Sequence, residues 1–321
     1  MRAAVVDVGS NSIKLLVAEG GPGGLPTEVL SRTLEVRISA GIGSEAPRLS
    51  REGIERGAAA VASLVSLARG AGADQFSVVA TSAVRDASNG AEFQERVGSS
   101  SGIAPRILTG QEEANLIGRG LATDPALCAM RDFHVYDLGG GSLECLAFRD
   151  RTVERAVSLP LGCVRLTERF ITPAGGPVAG AALARIAQHV KDTLQGSGFP
   201  FPVPGGSFVV GTGGTLTTVR AMAAAARNVA LERTDPLIRV AVLREVLAAV
   251  GALDLAARKG VKGLAPERAD VFPAALATFI ALAELGRFHA FHHSQRNLRW
   301  GVAAELLGQR AADAAGRTLR P

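Results

Sequence analysis

A short motif that occurs twice constrains this chain of 321 residues more than any other feature. One copy is Val5-Val-Asp-Val-Gly-Ser-Asn-Ser-Ile-Lys14, and the other is Val135-Tyr-Asp-Leu-Gly-Gly-Gly-Ser-Leu-Glu144. At a constant offset of 130 the shared positions are Asp7 and Asp137, Gly9 and Gly139, Ser12 and Ser142, and Leu16 and Leu146. A second pair, 78–83 and 209–214, matches at an offset of 131. Two matches at nearly one offset indicate an internal duplication.

Each copy consists of a short apolar strand ending in Asp, a tight turn of Gly, Ser and Asn, and a second apolar strand. Glycine lets backbone N–H groups approach an anion without a Cβ in the way. Such a turn can hold a phosphate group, to which small hydroxyl side chains add donors. The alternative is an ordinary β-hairpin with a glycine turn. Two copies, each led by a carboxylate, favour the phosphate interpretation.

Composition is that of a folded soluble protein, with 47% hydrophobic and 20% charged residues, and the length suits two domains. No apolar run reaches the roughly 18 to 20 residues of a membrane span. The amino terminus enters a strand without a signal-like segment, so we expect a cytoplasmic protein. A net charge of +5, carried mostly by Arg, gives weak support for a polyanionic ligand. The three cysteines lack metal-site or disulfide spacing and are expected to be small buried hydrophobes.

Periodicity predicts the same order of elements in each half. The first half is predicted to have strands at 3–8, 13–19 and about 27–39, a helix at 50–70, a strand at 75–81, a helix near 90–97, a strand at 105–109 and a helix from Gly110. The second half is predicted to have strands at 133–138, 143–149, 152–159, 207–211 and about 289–293, and helices at 179–195, from Gly214, and at 237–253, 266–287 and 298–315.

Five segments in the same order resemble the exopolyphosphatase/guanosine pentaphosphate phosphatase (Ppx/GppA) family. They are the two hairpins, Ala80-Thr-Ser-Ala-Val-Arg85-Asp-Ala-Ser-Asn89, Gly110-Gln-Glu-Glu113-Ala and Gly211-Thr-Gly-Gly-Thr215. The resemblance covers nearly the whole chain. Near the end this chain departs from the pattern: it has Ser294-Gln-Arg-Asn-Leu-Arg299-Trp-Gly301 where the family usually has Ser-Asp-x-Gly-Leu-Arg-x-Gly.

The resemblance implies an α/β fold of duplicated actin-like (ribonuclease H-like) domains with an interdomain cleft. The expected first domain is 1–126 and the second is 127–301. A last helix at about 302–321 is expected to pack back on the first domain. The two hairpins are then expected to face each other across the cleft.

By the same resemblance, residues of both halves meet phosphate. The expected set is Ser10, Asn11, Ser12, Ser82, Arg85, Gly139, Gly140, Gly141, Ser142, Gly213, Gly214 and Thr215. The helix from Gly214 adds a positive amino terminus. Without its context, Arg85 would be an ordinary surface arginine.

The resemblance makes Glu113 the general base that positions and deprotonates water. An acidic pair in the first turn of a helix is otherwise a solvated pair favoured by the helix dipole. We assign that structural role to Glu112. A carboxylate facing phosphate suits a base that works near neutral pH.

Asp7, Asp137 and Glu144 are the carboxylates expected to hold a divalent cation, Mg²⁺. Carboxylates, phosphate oxygens and water are the ligands that Mg²⁺ prefers. For Asp7 and Asp137 the alternative is capping of the turn that follows. His289, His292 and His293 have no metal-ligand spacing, and we expect them to be structural.

The activity implied by the family is Mg²⁺-dependent release of terminal orthophosphate from linear inorganic polyphosphate. The first alternative is hydrolysis of guanosine pentaphosphate (pppGpp), with (p)ppGpp-type nucleotides as ligands. A sugar or acetate kinase would share the duplicated fold, and a non-catalytic sensor would lack the intact carboxylates. We expect neither nucleic acid nor membrane partners, and family resemblance suggests a homodimer.

Overall fold

The computed structural model describes residues 1–21, 24–39, 42, 46–172 and 175–318. These residues form two compact units. Unit 1 consists of Met1–Ala40, Ala46–Ala129 and Arg296–Pro321, and unit 2 consists of Gly41–Glu45 and Met130–Gln295. The sequence predicts the corresponding changes at 126/127 and at about 302.

Unit 1 is built on a five-stranded sheet in the order β3-β2-β1-β4-β5. The strands are β1 (Arg2–Val8), β2 (Ser12–Gly20), β3 (Pro26–Glu35), β4 (Gln75–Ala80) and β5 (Arg106–Ile107). The helices are α1 (Arg51–Gly70), α2 (Ser82–Arg85), α3 (Gly90–Ser101), α4 (Gly110–Ala122) and, after the chain returns from unit 2, α11 (Leu298–Thr318).

Unit 2 is built on a six-stranded sheet in the order β10-β11-β9-β6-β7-β8. The strands are β6 (Phe133–Leu138), β7 (Leu143–Arg149), β8 (Thr152–Leu159), β9 (Phe208–Thr212), β10 (Leu237–Arg239) and β11 (Ala290–His293). The helices are α5 (Cys163–Phe170), α6 (Gly180–Gly196), α7 (Gly214–Arg227), α8 (Val240–Gly251), α9 (Leu255–Lys259) and α10 (Phe272–Gly286).

The two sheets repeat one topology, as the duplicated motif predicts. In each, a central strand pairs antiparallel with the strand that follows the tight turn, β1 with β2 and β6 with β7. The same central strand pairs in parallel with the strand of the second repeated segment, β1 with β4 and β6 with β9. The carboxyl end of β4 or β9 therefore lies beside the Asp and the tight turn of its own unit.

Helix α1 illustrates how local sequence produces these elements. Ser50 accepts a hydrogen bond from the Gly53 N–H at 3.0 Å, which caps the helix start as predicted. Apolar side chains at helical spacing, including Ile54, Val61 and Val65, are then buried along one face. The helix is thus determined by its cap and by the apolar face that it packs on the sheet.

Two predicted helices begin later than expected. The segment predicted to be helical from 237 begins with β10, which pairs with β11, so that α8 starts at Val240. The segment predicted from 266 forms a 3₁₀ turn at Pro266–Arg268 before α10. Pro273 lies in the first turn of α10, and proline is tolerated there but not inside a helix.

Three smaller predictions also need correction. Strand β3 ends at Glu35 and not near 39. Helix α5 has no counterpart among the predicted elements, and neither do the short helices α2 and α9. Of the three cysteines, Cys145 and Cys163 are buried, but Cys128 is exposed because it follows the surface turn Pro125–Leu127.

Among the described residues, no helix has both the length and the hydropathy that crossing a membrane requires. Helix α10 is the most completely buried one, but it is only 15 residues long.

The last helix belongs to unit 1, where it packs on α4 at two glycines. A Cβ at Gly301 would overlap the Leu116 carbonyl, and a Cβ at Gly120 would overlap the Asn297 carbonyl. The two helix backbones therefore approach each other more closely than any side chain permits. The short distance between them depends on glycine at both positions.

We expect Gly301→Ala to destabilise the protein by about 1–3 kcal/mol, since the added methyl group must push two packed backbones apart. Gly308→Ala on the same helix is the matched control. A Cβ at Gly308 meets nothing within 4 Å, so the alanine should stabilise the helix by up to about 1 kcal/mol. Urea unfolding of both variants measures the difference. Equal stability of the two variants would contradict the close packing.

Candidate active site

The two copies of the motif fold into the same tight hairpin. The Gly9 N–H donates to the Ser12 carbonyl at 3.1 Å, and the Gly139 N–H donates to the Ser142 carbonyl at 3.0 Å. A Cβ at Gly9 would lie 3.1 Å from the Ser12 carbonyl oxygen, which is closer than most side chains allow. The turns predicted at 9–12 and 139–142 are therefore closed by the same backbone hydrogen bond.

In unit 1 the segment after β3 holds the carbonyls of the turn. The Ser39 hydroxyl donates to the Ser10 carbonyl at 3.0 Å. The N–H groups of Val36 and Arg37 donate to the Asn11 carbonyl at 3.1 and 2.8 Å. This is why β3 ends at Glu35. In a trans peptide the C=O and the N–H point in opposite directions, so the N–H groups that follow these carbonyls face away from the 36–39 segment.

The side chains of this turn differ in what they can offer a ligand. Asn11 donates from its amide to Glu35 at 2.7 Å, and its amide oxygen accepts from the Arg37 guanidinium at 3.1 Å. The Asn11 side chain is thus engaged within unit 1. Ser10 is 2% exposed, and its hydroxyl has no hydrogen-bond partner among the described residues. The Ser10 hydroxyl and the backbone are therefore the groups of this turn that suit a bound anion.

In unit 2 the amino terminus of α5 holds the carbonyls of the turn, as the 36–39 segment does in unit 1. The Cys163 N–H donates to the Gly139 carbonyl at 3.1 Å, and the Val164 N–H donates to the Gly140 carbonyl at 2.8 Å. A Cβ at Gly162 would overlap the Gly140 carbonyl, so the helix start lies directly against the turn. The N–H groups of the turn consequently face away from α5.

The predicted glycines before α7 bring the helix start next to a carboxylate. Gly213 has φ +100°, and a Cβ there would lie 2.6 Å from the Leu138 carbonyl and 3.0 Å from the Asp137 carboxylate. Only glycine combines this backbone conformation with this approach. The first turn of α7, a helix of 14 residues, therefore presents its N–H groups beside Asp137.

Three further groups surround the start of α7. Thr212 and Thr215 are fully buried, and neither hydroxyl has a hydrogen-bond partner among the described residues. The Arg268 guanidinium lies against Gly214, since a Cβ at Gly214 would be 2.7 Å from it. Thr215 belongs to the set expected to meet phosphate, whereas Arg268 and Thr212 do not. Arg268 is far from Gly214 in sequence, and only the tertiary fold brings the two together.

Glu113 and Arg85 form a direct ion pair in unit 1. The guanidinium Nη1 of Arg85 lies 2.7 Å from Oε2 of Glu113 and donates also to the Leu108 carbonyl at 3.2 Å. Glu113 is 6% exposed, whereas Asp86, 3.4 Å from the Arg85 Nε, is partly exposed. The structure thus joins the predicted base and the predicted phosphate-binding arginine in one partly buried pair. Ser82, also buried, begins the short helix that ends in Arg85.

The two members of the acidic pair at the start of α4 have different environments. Glu112 forms a capping box with Thr109: its carboxylate accepts from the Thr109 N–H and hydroxyl, both at 2.8 Å. The Thr109 backbone and side-chain hydrogen bonds lower the pKa of Glu112. Glu112 therefore stabilises the helix start, and Glu113 points into the partly buried pair.

Asp137 and Glu144 lie directly opposite each other on β6 and β7. Opposite residues of an antiparallel pair project from the same face of the sheet. Both are buried, and the Ser158 hydroxyl donates to Glu144 at 2.7 Å. Two neighbouring carboxylates in a buried position repel each other, and a bound cation would relieve that repulsion. This pair of oxygen donors fits Mg²⁺.

Asp7 has a different environment from Asp137. Its cross-strand neighbour is Lys14, where unit 2 has Glu144. Burial raises the pKa of Asp7, and the charges of Lys14 and Arg299 oppose that rise. Within the residues that the structure describes, no three His, Cys, Asp or Glu side chains form a group that could hold a metal by themselves. A cation held by Asp137 and Glu144 would need further ligands from substrate or water.

Behind the start of α7 lies a buried network around His293. Arg220 donates to the His293 Nδ1 at 3.1 Å, and the His293 Nε2 lies 3.2 Å from the Thr217 hydroxyl. Since the guanidinium can only donate, Nδ1 accepts and Nε2 carries the proton. Thr217 in turn donates to the Gly213 carbonyl at 3.1 Å. His293 has the structural role expected for it.

Comparisons with known proteins find relatives over most of the chain. A profile of the Ppx/GppA phosphatase family matches residues 16–310. Exopolyphosphatase 1 of Mycobacterium tuberculosis is 28% identical over 270 residues, which are 84% of this chain and 77% of that protein. Exopolyphosphatase 1 of Mycobacterium leprae is also 28% identical, over 84% of this chain and 78% of that protein.

Solved structures show the fold. The Aquifex aeolicus member of the Ppx/GppA family is 26% identical, with a TM-score of 0.75 over 97% of this chain and 98% of that one. An exopolyphosphatase from Cytophaga hutchinsonii is 21% identical, with a TM-score of 0.84 over 96% of this chain and 98% of that one. The prediction of duplicated actin-like α/β domains is thereby confirmed.

Acid should destabilise the protein through His293. Burial, with the charges of Arg220 and His292, lowers the pKa of His293 to about 3. Because the folded pKa lies below the unfolded value of about 6.5, protonation favours the unfolded state, and stability falls by up to about 1.4 kcal/mol per pH unit as pH drops from 6.5 toward 3. We expect wild type to lose about 1 kcal/mol more than His293→Gln between pH 7.5 and 5.5, measured by urea unfolding. Parallel pH profiles would exclude this role for His293.

Proposed function

We propose, since this chain belongs to the Ppx/GppA phosphatase family, that it releases terminal orthophosphate from linear inorganic polyphosphate with the help of Mg²⁺. As a member of this family it is a hydrolase of phosphoanhydride bonds. The observation that carries the proposal is the partly buried ion pair of Glu113 and Arg85. The names of the mycobacterial relatives support polyphosphate as the substrate.

The ion pair prepares Glu113 for proton transfer. Pairing with Arg85 at 2.7 Å favours the carboxylate form of Glu113, which is the form that accepts a proton from water. The pair also fixes the carboxylate, because the guanidinium is itself bound to the Leu108 carbonyl. Phosphate oxygens that share the donors of Arg85 would bring the terminal phosphorus close to the water that Glu113 holds.

The reaction then requires little covalent chemistry from the protein itself. Water loses a proton to Glu113, its oxygen attacks the terminal phosphorus, and the bridging bond to the next phosphate breaks in line. The products are orthophosphate and a chain shortened by one phosphate. Backbone N–H groups of the turn at 139–142 and of the start of α7, together with Arg268, would stabilise the negative charge on the phosphoryl oxygens.

Asp137 and Glu144 would hold the magnesium ion, which would offset phosphate charge and let a carboxylate act close to it. Asp7, paired across the strands with Lys14, has less negative charge to offer a cation. Three further expectations stay predictions: both turns bind one substrate, the protein is cytoplasmic, and it forms a homodimer.

We expect Glu113→Gln to lower turnover by about 10² to 10⁴ while substrate binding is kept, since the amide cannot accept the proton of water. Loss of the negative charge leaves Arg85 available to phosphate, so the affinity for polyphosphate should not fall. Single-turnover release of orthophosphate measures the rate, and circular dichroism confirms the fold.

Glu112→Gln is the matched control for that variant. Glutamine at this position can also complete a capping box, so the helix start is kept and the rate should stay near that of wild type. If Glu112→Gln were inactive and Glu113→Gln active, the base would be Glu112, and our assignment of Glu113 would be wrong. Activity in both variants would overturn the mechanism.

Removal of divalent cations should abolish activity, and Mg²⁺ should restore it. Asp137→Asn and Glu144→Gln should each raise the Mg²⁺ concentration that gives half-maximal rate, because each removes a charged oxygen ligand. Glu154→Gln on the exposed side of the neighbouring strand β8 is the control and should behave like wild type. Full activity in the presence of a chelator would contradict the metal requirement.

Substrate choice is decided by comparing kcat/KM for polyphosphate with that for guanosine pentaphosphate. The proposal expects the larger value for polyphosphate. A larger value for the nucleotide would establish the alternative activity at the same catalytic residues.

A further inference from the structure

Arg165 links the phosphate turn of unit 2 to a second backbone segment. Its Nε donates to the Gly141 carbonyl at 3.1 Å, and its Nη1 donates to the Ile42 carbonyl at 2.7 Å. Arg165 lies in the first turn of α5, whose N–H groups already hold the carbonyls of Gly139 and Gly140. The third carbonyl of the turn is thus held by a side chain and not by the helix backbone.

The bond to Gly141 determines the orientation of one peptide group. A trans peptide places its C=O and its N–H on opposite sides. With the Gly141 carbonyl directed at Arg165, the Ser142 N–H is directed away from α5, as are the N–H groups of Gly140 and Gly141. Glycine at 140 and 141 would otherwise let these peptides rotate, because glycine has the widest range of backbone conformations.

The equivalent position of unit 1 is also held by an arginine. Residues 11 and 141 correspond at the offset of 130. The Arg37 guanidinium donates from Nε and Nη2 to the Asn11 side chain, and the Arg37 N–H donates to the Asn11 carbonyl. Arg37 lies in an irregular segment of unit 1, whereas Arg165 lies in a helix of unit 2. Their shared target is the third residue of each turn.

We propose that Arg165 is a positioning residue, which holds the Gly141–Ser142 peptide so that its N–H faces the phosphate bound by the turn at 139–142. The proposal rests on the proposed function only in taking phosphate as the ligand of this turn. The fork of the guanidinium matters, since one arm holds Gly141 and the other holds Ile42. Lysine carries its donors on one nitrogen and cannot reproduce the two separate arms.

The test compares Arg165→Met and Arg165→Lys with wild type. Two readouts are used: the affinity for inorganic phosphate, followed by the amide resonance of Ser142, and kcat/KM for polyphosphate. We expect Arg165→Met to bind phosphate about tenfold more weakly and to lose about 10² in kcat/KM, the size typical of one misplaced backbone donor. Arg165→Lys should recover part of both losses.

Two controls separate positioning from stability. Arg169→Met on the same helix removes an exposed guanidinium that lies over the Phe170 ring, and it should change neither readout. Leu166→Ala removes buried apolar contacts of the same helix and should lower the melting temperature with phosphate affinity kept. If Leu166→Ala weakens phosphate binding as much as Arg165→Met does, Arg165 acts only through stability and the proposal is wrong.

The outcomes also distinguish this proposal from the proposed function. Wild type that binds phosphate through Ser142 in an Arg165-dependent way, but hydrolyses no polyphosphate, would support the positioning role and overturn the proposed activity. Wild-type affinity and rate in either Arg165 variant would overturn the positioning role and leave the activity in place. Wild type that neither binds phosphate nor hydrolyses polyphosphate would overturn both.

Discussion

The structure depends on how the carbonyls of two tight turns are held. A turn can offer several N–H groups to an anion only if the carbonyls of the same peptides have partners on the other side. Both units meet this condition with the segment that follows their hairpin: residues 36–39 in unit 1 and the start of α5 in unit 2. An unpaired buried carbonyl would cost about 1–3 kcal/mol, so these contacts keep the turns stable as well as correctly oriented.

The same constraint explains where glycine is required. Gly213 combines a positive φ with close approach to the Asp137 carboxylate, and Gly162 lies in contact with the Gly140 carbonyl. In both cases a polypeptide backbone packs directly against the phosphate turn or its carboxylate. Side chains at these positions would displace the turn, so the glycines are part of the site although neither has a functional group.

Much of this architecture is predictable from sequence because it is local or repeated. Alternation of apolar residues predicts the strands, Ser50 predicts the start of α1, and the offset of 130 predicts the shared hairpin geometry. The sequence pattern does not predict helix α5, and the reason is physical. Its first residue follows Gly162, which has no capping side chain, and its N–H groups are satisfied by Gly139 and Gly140, which are distant in sequence.

Long-range contacts also limit what sequence reveals about the site. The Glu-Glu pair of α4 predicts one structural and one functional carboxylate by resemblance, but only the fold shows that Arg85 pairs with the second. Arg268 has no local signal at all. A guanidinium that reaches a helix start from a separate loop is visible only after the chain has folded.

The duplication has diverged at one position that bears on the chemistry. Where unit 2 places Glu144 opposite Asp137, unit 1 places Lys14 opposite Asp7. A carboxylate pair concentrates negative charge and attracts a cation, whereas an Asp–Lys pair is already neutral. Two identical turns, each beside a carboxylate pair, would both repel a polyanion unless both bound metal. With lysine in one copy, the turn of unit 1 lies beside a neutral pair that would not repel phosphate, and in our proposal the demand for a cation is confined to unit 2.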